Sequence, residues 1–223
     1  GIGVVATNTW LAFRAADAVD VEWERGPAPS DADEIATRLQ RAFQPEHVDK
    51  RWRDDGDVDA AFAGHRVHEA EYQVPLVAHA TMEPMNATVW FRPDRLDIWV
   101  GTQNATQVCH EAARVSGLDP ANIHCHVTYL GGGFGRRGEM DFVRHALAIA
   151  IAVPDTPVKV TWSREEDTTH DVYRPPAVAR MRGAVEGGLP IAYDLACATA
   201  SVVASQRARD GGGTAGPDKT IVQ

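Results

Sequence analysis

His124-Cys125-His126-Val127-Thr128-Tyr129-Leu130 runs directly into Gly131-Gly132-Gly133-Phe134-Gly135-Arg136-Arg137. A strand-like run that ends in four glycines within five residues predicts a strand and then a tight loop. Glu139 to Ala152 follows as a helix, with Phe142, Ala146, Ile149 and Ala150 at helical spacing. Strand, glycine loop and helix start together build an anion site. Glycine lets the backbone approach a ligand closely, and free N–H groups at a helix start carry partial positive charge. Arg136 and Arg137 add planar guanidinium forks suited to phosphate or another oxyanion. The bland alternative is a tight turn with no ligand.

Working outward, the 223 residues suffice for one large domain or two small ones. Hydrophobic residues at 44% and charged residues at 24% are ordinary for a globular protein. The net charge of -9 argues against a nucleic-acid surface, which needs clustered cations. No apolar run reaches the roughly 18 to 20 residues of a membrane span. Cys109, Cys125 and Cys197 form neither a disulfide framework nor a Cys-x-x-Cys metal site, so they read as buried apolar residues. The chain opens on Gly1-Ile2-Gly3-Val4-Val5-Ala6 and closes on Lys219-Thr220-Ile221-Val222-Gln223, which suggests a piece of a longer polypeptide.

In chain order, Gly1–Ala6 reads as a buried strand, and Asn8 or Thr9 caps a helix to about Ala18. Val19, Val21 and Trp23 alternate as a strand before Gly26-Pro27. Ser30-Asp31-Ala32-Asp33 resembles a capping box for a helix whose stripe is Ile35, Leu39 and Phe43. Residues 44–59 are polar, and Asp57 caps a short turn over Val58–Ala63. The register of Asp54-Asp55-Gly56-Asp57 does not meet that of a calcium loop. A domain boundary is placed near this linker, giving residues 1–55 and 56–223. Val67–Val74 reads as a strand, and Thr88–Phe91 and Leu96–Val100 as a hairpin. Ala105–Ser116 reads as a helix closed by Gly117. Pro157–Trp162 is a strand, and Ser163 caps a turn over Arg164-Glu165-Glu166-Asp167. Ala177–Glu186 and Ile191–Ser201 are two strands joined at Gly187-Gly188, and a mobile tail is expected over Arg209–Pro217. Strands, helices and hairpins in this order predict an α+β chain with mixed sheets.

His124 and His126 share one face of a strand while Cys125 faces the other, so the three do not converge on a metal ion. His79 with Glu83, and His170 with Asp171, are weaker pairs suited to acid–base work or simply to satisfying one another. A P-loop requires Gly-Lys-Ser/Thr where Gly135-Arg136-Arg137 stands. A dinucleotide fingerprint wants an acid about 20 residues on, closing a strand, and Asp155 sits in a Pro-bounded loop instead.

Four stretches occur in order: His79-Ala80-Thr81-Met82-Glu83-Pro84-Met85-Asn86, Gly101-Thr102-Gln103-Asn104, Gly131–Arg137 and Val160-Thr161-Trp162-Ser163-Arg164-Glu165-Glu166-Asp167. Together they resemble the molybdopterin-binding subunit of the xanthine dehydrogenase and aldehyde oxidase family, nearest its isoquinoline oxidoreductase beta-subunit branch. The resemblance implies the end of an α/β hammerhead domain over residues 1–55. Residues 56–223 would then be an incomplete first molybdopterin-binding domain with a mixed sheet. It implies a molybdenum-dependent oxidoreductase that hydroxylates an aldehyde or N-heterocycle at carbon with oxygen from water. The metal would be held by pterin sulfurs rather than side chains, in a cofactor of plain or cytosine dinucleotide form. Iron–sulfur clusters would lie on a partner subunit. Carried over by position, Gln103, Gly132, Gly133, Phe134 and Gly135 line the cofactor, and Arg136 is the anion partner. Purine-oxidising members carry a glutamate where Gly138 stands, and a glutamine that often precedes the His-x-x-x-Glu segment is Val77 here. The family's catalytic glutamate lies far toward the C-terminus, so no catalytic residue is assigned within this chain and the chain alone is expected to be inactive. The rival function is a nucleotide- or phosphate-binding module using Gly131–Arg137. No compartment is implied.

Overall fold

The computed structural model describes residues 1–24 and 31–212. The helices are α1 (Thr9–Asp17), α2 (Ala32–Arg41), α3 (Val58–Phe62), α4 (Ala105–Ser116), α5 (Asp141–Ala152), α6 (Arg164–Thr169) and α7 (Val202–Arg209). The strands are β1 (Val67–Val74), β2 (Asn86–Arg92), β3 (Arg95–Val100), β4 (Ile123–Val127), β5 (Val158–Thr161), β6 (Ala177–Glu186) and β7 (Leu189–Thr199). Contacts divide the chain into two compact units, one from residues 1–24 and 78–173, the other from the described parts of 25–77 and 174–223.

The first unit is built on a four-stranded sheet in the order β4-β3-β2-β5. β3 and β4 run parallel and the other pairs antiparallel, so the sheet is mixed as expected. Alternation along the strands sends Ala87, Val89, Leu96, Ile98, Val100, Ile123 and Val158 to one buried face. α4 contributes Val108 and Ala112 to this core, and α5 contributes Phe142, Val143, Ala146, Leu147 and Ala150. Each large side chain so buried contributes roughly 1.5–3 kcal/mol. Asn104 starts α4 by accepting from the Gln107 N–H, and Gly117 ends it at φ 72°. The parallel crossover from β3 through α4 brings the chain back to β4, whose end aims the glycine loop.

The second unit has a three-stranded antiparallel sheet, β1-β6-β7. Gly187 and Gly188, at φ 58° and 83°, make the tight hairpin between β6 and β7, a turn in which both residues need positive φ. Asp31 caps α2 by accepting from the Glu34 N–H, and Asp57 caps α3 through the Ala60 N–H. Val178, Ala184, Ala198 and Phe62 are buried in this unit.

Two expected strands are absent. Gly1–Ala6 and Val19–Trp23 have apolar or alternating patterns but pair with no strand among the described residues, and Ile2, Val5 and Trp23 are exposed. A strand needs a neighbouring strand for its N–H and C=O groups, and these segments have none among the described residues. β7 stops at Thr199, and Ser201 caps α7, which the sequence reading missed. The Gly26-Pro27 turn, Ser30 of the capping box and the tail beyond Gly212 lie outside the described residues.

Candidate functional site

β4 ends at Val127, and Thr128 still donates its N–H to Val100 O. The chain then enters the loop, with φ of 98° at Gly132, 54° at Phe134 and 104° at Gly135. Phe134 is not glycine, so its left-handed backbone is strained, and its side chain is 75% exposed. The only other non-glycine residues with positive φ are Ala80 at 45° and Asp155 at 63°, among the described residues. Ala80 belongs to the His79–Asn86 stretch, which packs against this loop.

The four motif stretches meet in the first unit. Gly131 donates its N–H to Glu83 Oε2 at 2.9 Å, while Glu83 donates its own N–H to Gly131 O at 3.1 Å. Gly135 donates to Gln103 Oε1 at 3.0 Å, and Gln103 donates its N–H to Arg137 O at 3.0 Å. A Cβ on Gly131 would lie 2.5 Å from Glu83 Cβ, and one on Gly133 2.6 Å from Gln103 Oε1. Only glycine fits at either place without displacing the neighbouring motif. Arg164 of the fourth stretch donates to Thr81 O and to Met82 O.

Arg137 is the tie beneath the loop. It is fully buried and donates to Gly132 O, Gly101 O, Glu83 O and Glu83 Oε2 at 2.9, 3.1, 2.9 and 2.8 Å. Burial pushes its guanidinium down from the ordinary range, with Glu83 and Asp167 opposing. Burial alone would raise the Glu83 carboxyl, but the Gly131 amide, the Asn86 amide and Arg137 outweigh it and hold it below the usual range.

Arg136 is also buried, at 1% exposure. Its two terminal nitrogens donate to Asp141 at 2.8 and 2.7 Å. Its Nε lies 2.8 Å from Asp171 Oδ1, an ion pair without hydrogen-bond alignment. Burial opposes the charge of Arg136, yet Asp141, Asp171 and Asp167 more than offset that and raise its pKa. The expected outward forks are therefore turned inward, because carboxylates from α5 and from beyond α6 claim them. The expected helix start also moves. A single 3-10 turn (Arg136–Gly138) follows the loop, and α5 begins only at Asp141. Its N-terminal N–H groups are thus set back from the glycines by Arg136–Met140.

His79 does not pair with Glu83. Its Nδ1 lies 3.0 Å from Asp171 Oδ2, and its backbone N–H also donates to Asp171. His170 instead sits 3.4 Å from Glu166. His126 bonds Asp97 at 2.8 Å and stacks on Trp99, on the sheet face opposite the core. Asp171 and Asp141 were not assigned as site residues by sequence: Asp171 reaches His79, 92 residues earlier, and Asp141, though only five residues from Arg136, carries no motif that marks it as that arginine's partner.

What remains for a ligand is a set of donors. The N–H groups of Gly132, Gly133 and Phe134 have no hydrogen-bond partner among the described residues. The Gly135 N–H fixes which end of the Gln103 amide faces it, so the NH₂ end points away as a further donor. Three consecutive amides beside an exposed aromatic ring suit a group rich in oxygen or carrying negative charge. A cofactor with oxo, hydroxyl and phosphate oxygens fits that donor set.

Residues 40–200 match the model of the molybdopterin cofactor-binding domain family. The chain belongs to that family. Isoquinoline 1-oxidoreductase subunit beta of Brevundimonas diminuta is 31% identical over 196 residues, covering 83% of this chain and 25% of that protein. The aldehyde oxidoreductase molybdenum-binding subunit PaoC of Escherichia coli strain K12 is 29% identical over 189 residues, covering 83% and 25%. The quinoline 2-oxidoreductase structure from Pseudomonas putida 86 superimposes with a TM-score of 0.63 at 20% identity. It covers 86% of this chain and 25% of that one, a likeness of fold. The chain spans about a quarter of the length of these relatives. The family expected from the four motifs is the one found, and the matched residues include the mixed sheet and the glycine loop that follows β4.

Proposed function

We propose that the protein to which this chain belongs is a molybdenum hydroxylase that oxidises an aldehyde or an N-heterocycle at carbon with oxygen taken from water. The observation that carries this is the donor set of Gly132, Gly133, Phe134 and Gln103, within a molybdopterin cofactor-binding domain. When bound, the molybdenum cofactor supplies the two-electron oxidation and the route for the water-derived oxygen. The chain supplies the seat. The Gly132–Phe134 amides and the Gln103 NH₂ group would donate to the cofactor's oxygens. Phe134 would shield one side from bulk water, and Gly135 would allow close approach. Arg136, locked behind the loop by Asp141 and Asp171, would act through its field rather than by contact.

Support for the substrate class comes from the names of the relatives, an isoquinoline oxidoreductase and an aldehyde oxidoreductase. Gly138, where purine-oxidising members carry glutamate, favours that class over purines. Residues 1–55 are assigned to the end of a hammerhead domain and 56–223 to the first molybdopterin-binding domain, on the sequence resemblance. An iron–sulfur partner subunit and the cytosine dinucleotide form of the cofactor belong to the same proposal. The 223 residues alone are expected to be silent, because none of them is assigned the role of the family's catalytic glutamate, and Glu83, Asp141, Asp167 and Asp171 are each held by an arginine. Among the described residues no helix is long and apolar enough to cross a membrane.

The test is turnover of quinoline or benzaldehyde in ¹⁸O-labelled water by the full-length subunit with its electron-transfer partner. Label in the product supports the proposal, and product oxygen drawn from O₂ refutes it.

A further inference from the structure

Around a loop otherwise lined by donors, one acceptor stands out. His79 Nδ1 lies 3.1 and 3.0 Å from the two oxygens of Asp171. Asp171 also takes the His79 backbone N–H and faces Arg136 Nε, so its carboxylate is surrounded by donors on every side that the structure shows. A carboxylate only accepts, so Nδ1 carries a proton, and in the neutral imidazole the Nε2 lone pair is then bare. That nitrogen points at the loop. A Cβ placed on Gly135 would have a single neighbour within 4 Å, His79 Nε2 at 3.8 Å. The space that a Cβ at Gly135 would take is therefore open, and the imidazole acceptor faces it. The His79 side chain is 17% exposed, against 2% for Asp171, so the dyad is buried at its carboxylate end and reachable at its ring. The next residue, Ala80, is held at φ 45°, a strained conformation in the segment that carries the ring.

We propose that the Asp171–His79 dyad is the hydrogen-bond acceptor of this site, receiving an O–H or ring N–H of a ligand seated against Gly135. The inference rests on the ligand site proposed above and adds the residue that selects protonated groups. Such a group comes either from the pterin ring or from a heterocyclic lactam of the kind a hydroxylated N-heterocycle becomes.

The experiment is long-range ¹H–¹⁵N NMR of the histidine rings in this chain, with His79→Gln used to assign the signals. The expected tautomer is Nδ1–H, and Asp171→Asn is expected to shift the ring toward Nε2–H. Pterin-6-carboxylate and isoquinolin-1-one are then titrated separately. A movement of the His79 Nε2 resonance with either probe supports the dyad as acceptor and names the source. An Nε2–H tautomer in the wild type, or no movement with both probes at their solubility limits, overturns it. The tautomer is read without molybdenum, so its failure is distinct from failure of the hydroxylase reading.

Discussion

Replacing Arg137 by methionine asks whether the four motifs are held together as described. The side chain is fully buried, and methionine keeps its aliphatic length while removing every donor. Three carbonyls, of Gly132, Gly101 and Glu83, lose a charged partner at 2.9–3.1 Å. Each such bond is worth about 1.5–3 kcal/mol, and the three are not additive. Glu83 also loses its ion pair, but its side chain is 39% exposed and keeps the Gly131 and Asn86 donors, so water screens much of that term. The net expectation is a loss of about 3–5 kcal/mol, in line with breaking a buried charged network. For a chain of this length that lowers the unfolding midpoint on the order of 10 °C. Thermal unfolding followed by tryptophan fluorescence reads it, since Trp90, Trp99 and Trp162 lie in the same unit. Arg38→Met is the control: its i,i+4 pair with Glu34 is 65% and 41% exposed and contributes about 0.3–0.5 kcal/mol. A fall for Arg137→Met no larger than that for Arg38→Met would refute the role given to Arg137.

Glu111 is held at about 2 by Arg114 and Arg144, against the opposing effect of burial, so its folded pKa lies below the ordinary glutamate range. Its stabilisation is complete above the unfolded value and is lost as pH falls toward 2, so Glu111→Gln should flatten that part of the acid limb in urea titrations. Burial, with Cys109 alongside, pushes the Cys125 thiol up to about 11, so iodoacetamide at neutral pH should leave Cys125 unlabelled in the native chain and label it in denaturant, as read by mass spectrometry. Asn8→Ala and Ser163→Ala each remove an N-cap acceptor, for Leu11 N and Glu166 N. Each should cost about 1 kcal/mol in denaturant unfolding.

The elements that the sequence made legible are those whose signal is local. Gly117 closes α4 because only glycine is at ease at φ 72°, and Gly187-Gly188 sets the β6–β7 hairpin for the same reason. The β2–β3 pairing follows from alternation on either side of Pro93-Asp94. Gly1–Ala6 and Val19–Trp23 misled because alternation says that a segment has an apolar face but not that a neighbouring strand exists. At the site, the glycine loop and the Gln103 motif were visible as residues, whereas the direction of the arginines was not. Arg136 and Arg137 look like anion forks until Asp171, 35 residues after Arg136, and Glu83, 54 residues before Arg137, are placed beside them. A charge on paper has no orientation until its partners are known.

The most direct test of the cofactor site is molybdenum and pterin content per chain, measured in the full-length subunit from a molybdopterin-making host beside its Gly133→Ala variant. A Cβ on Gly133 would sit 2.6 Å from Gln103 Oε1, so that side chain must leave the Gly135 amide and the donor set is broken. Molybdenum equimolar with the wild-type chain, and sharply reduced in a variant whose circular dichroism is unchanged, is the expected result. Wild type without molybdenum, or a variant that keeps full occupancy, would contradict the assignment of the Gly131–Gly135 loop as the cofactor's seat.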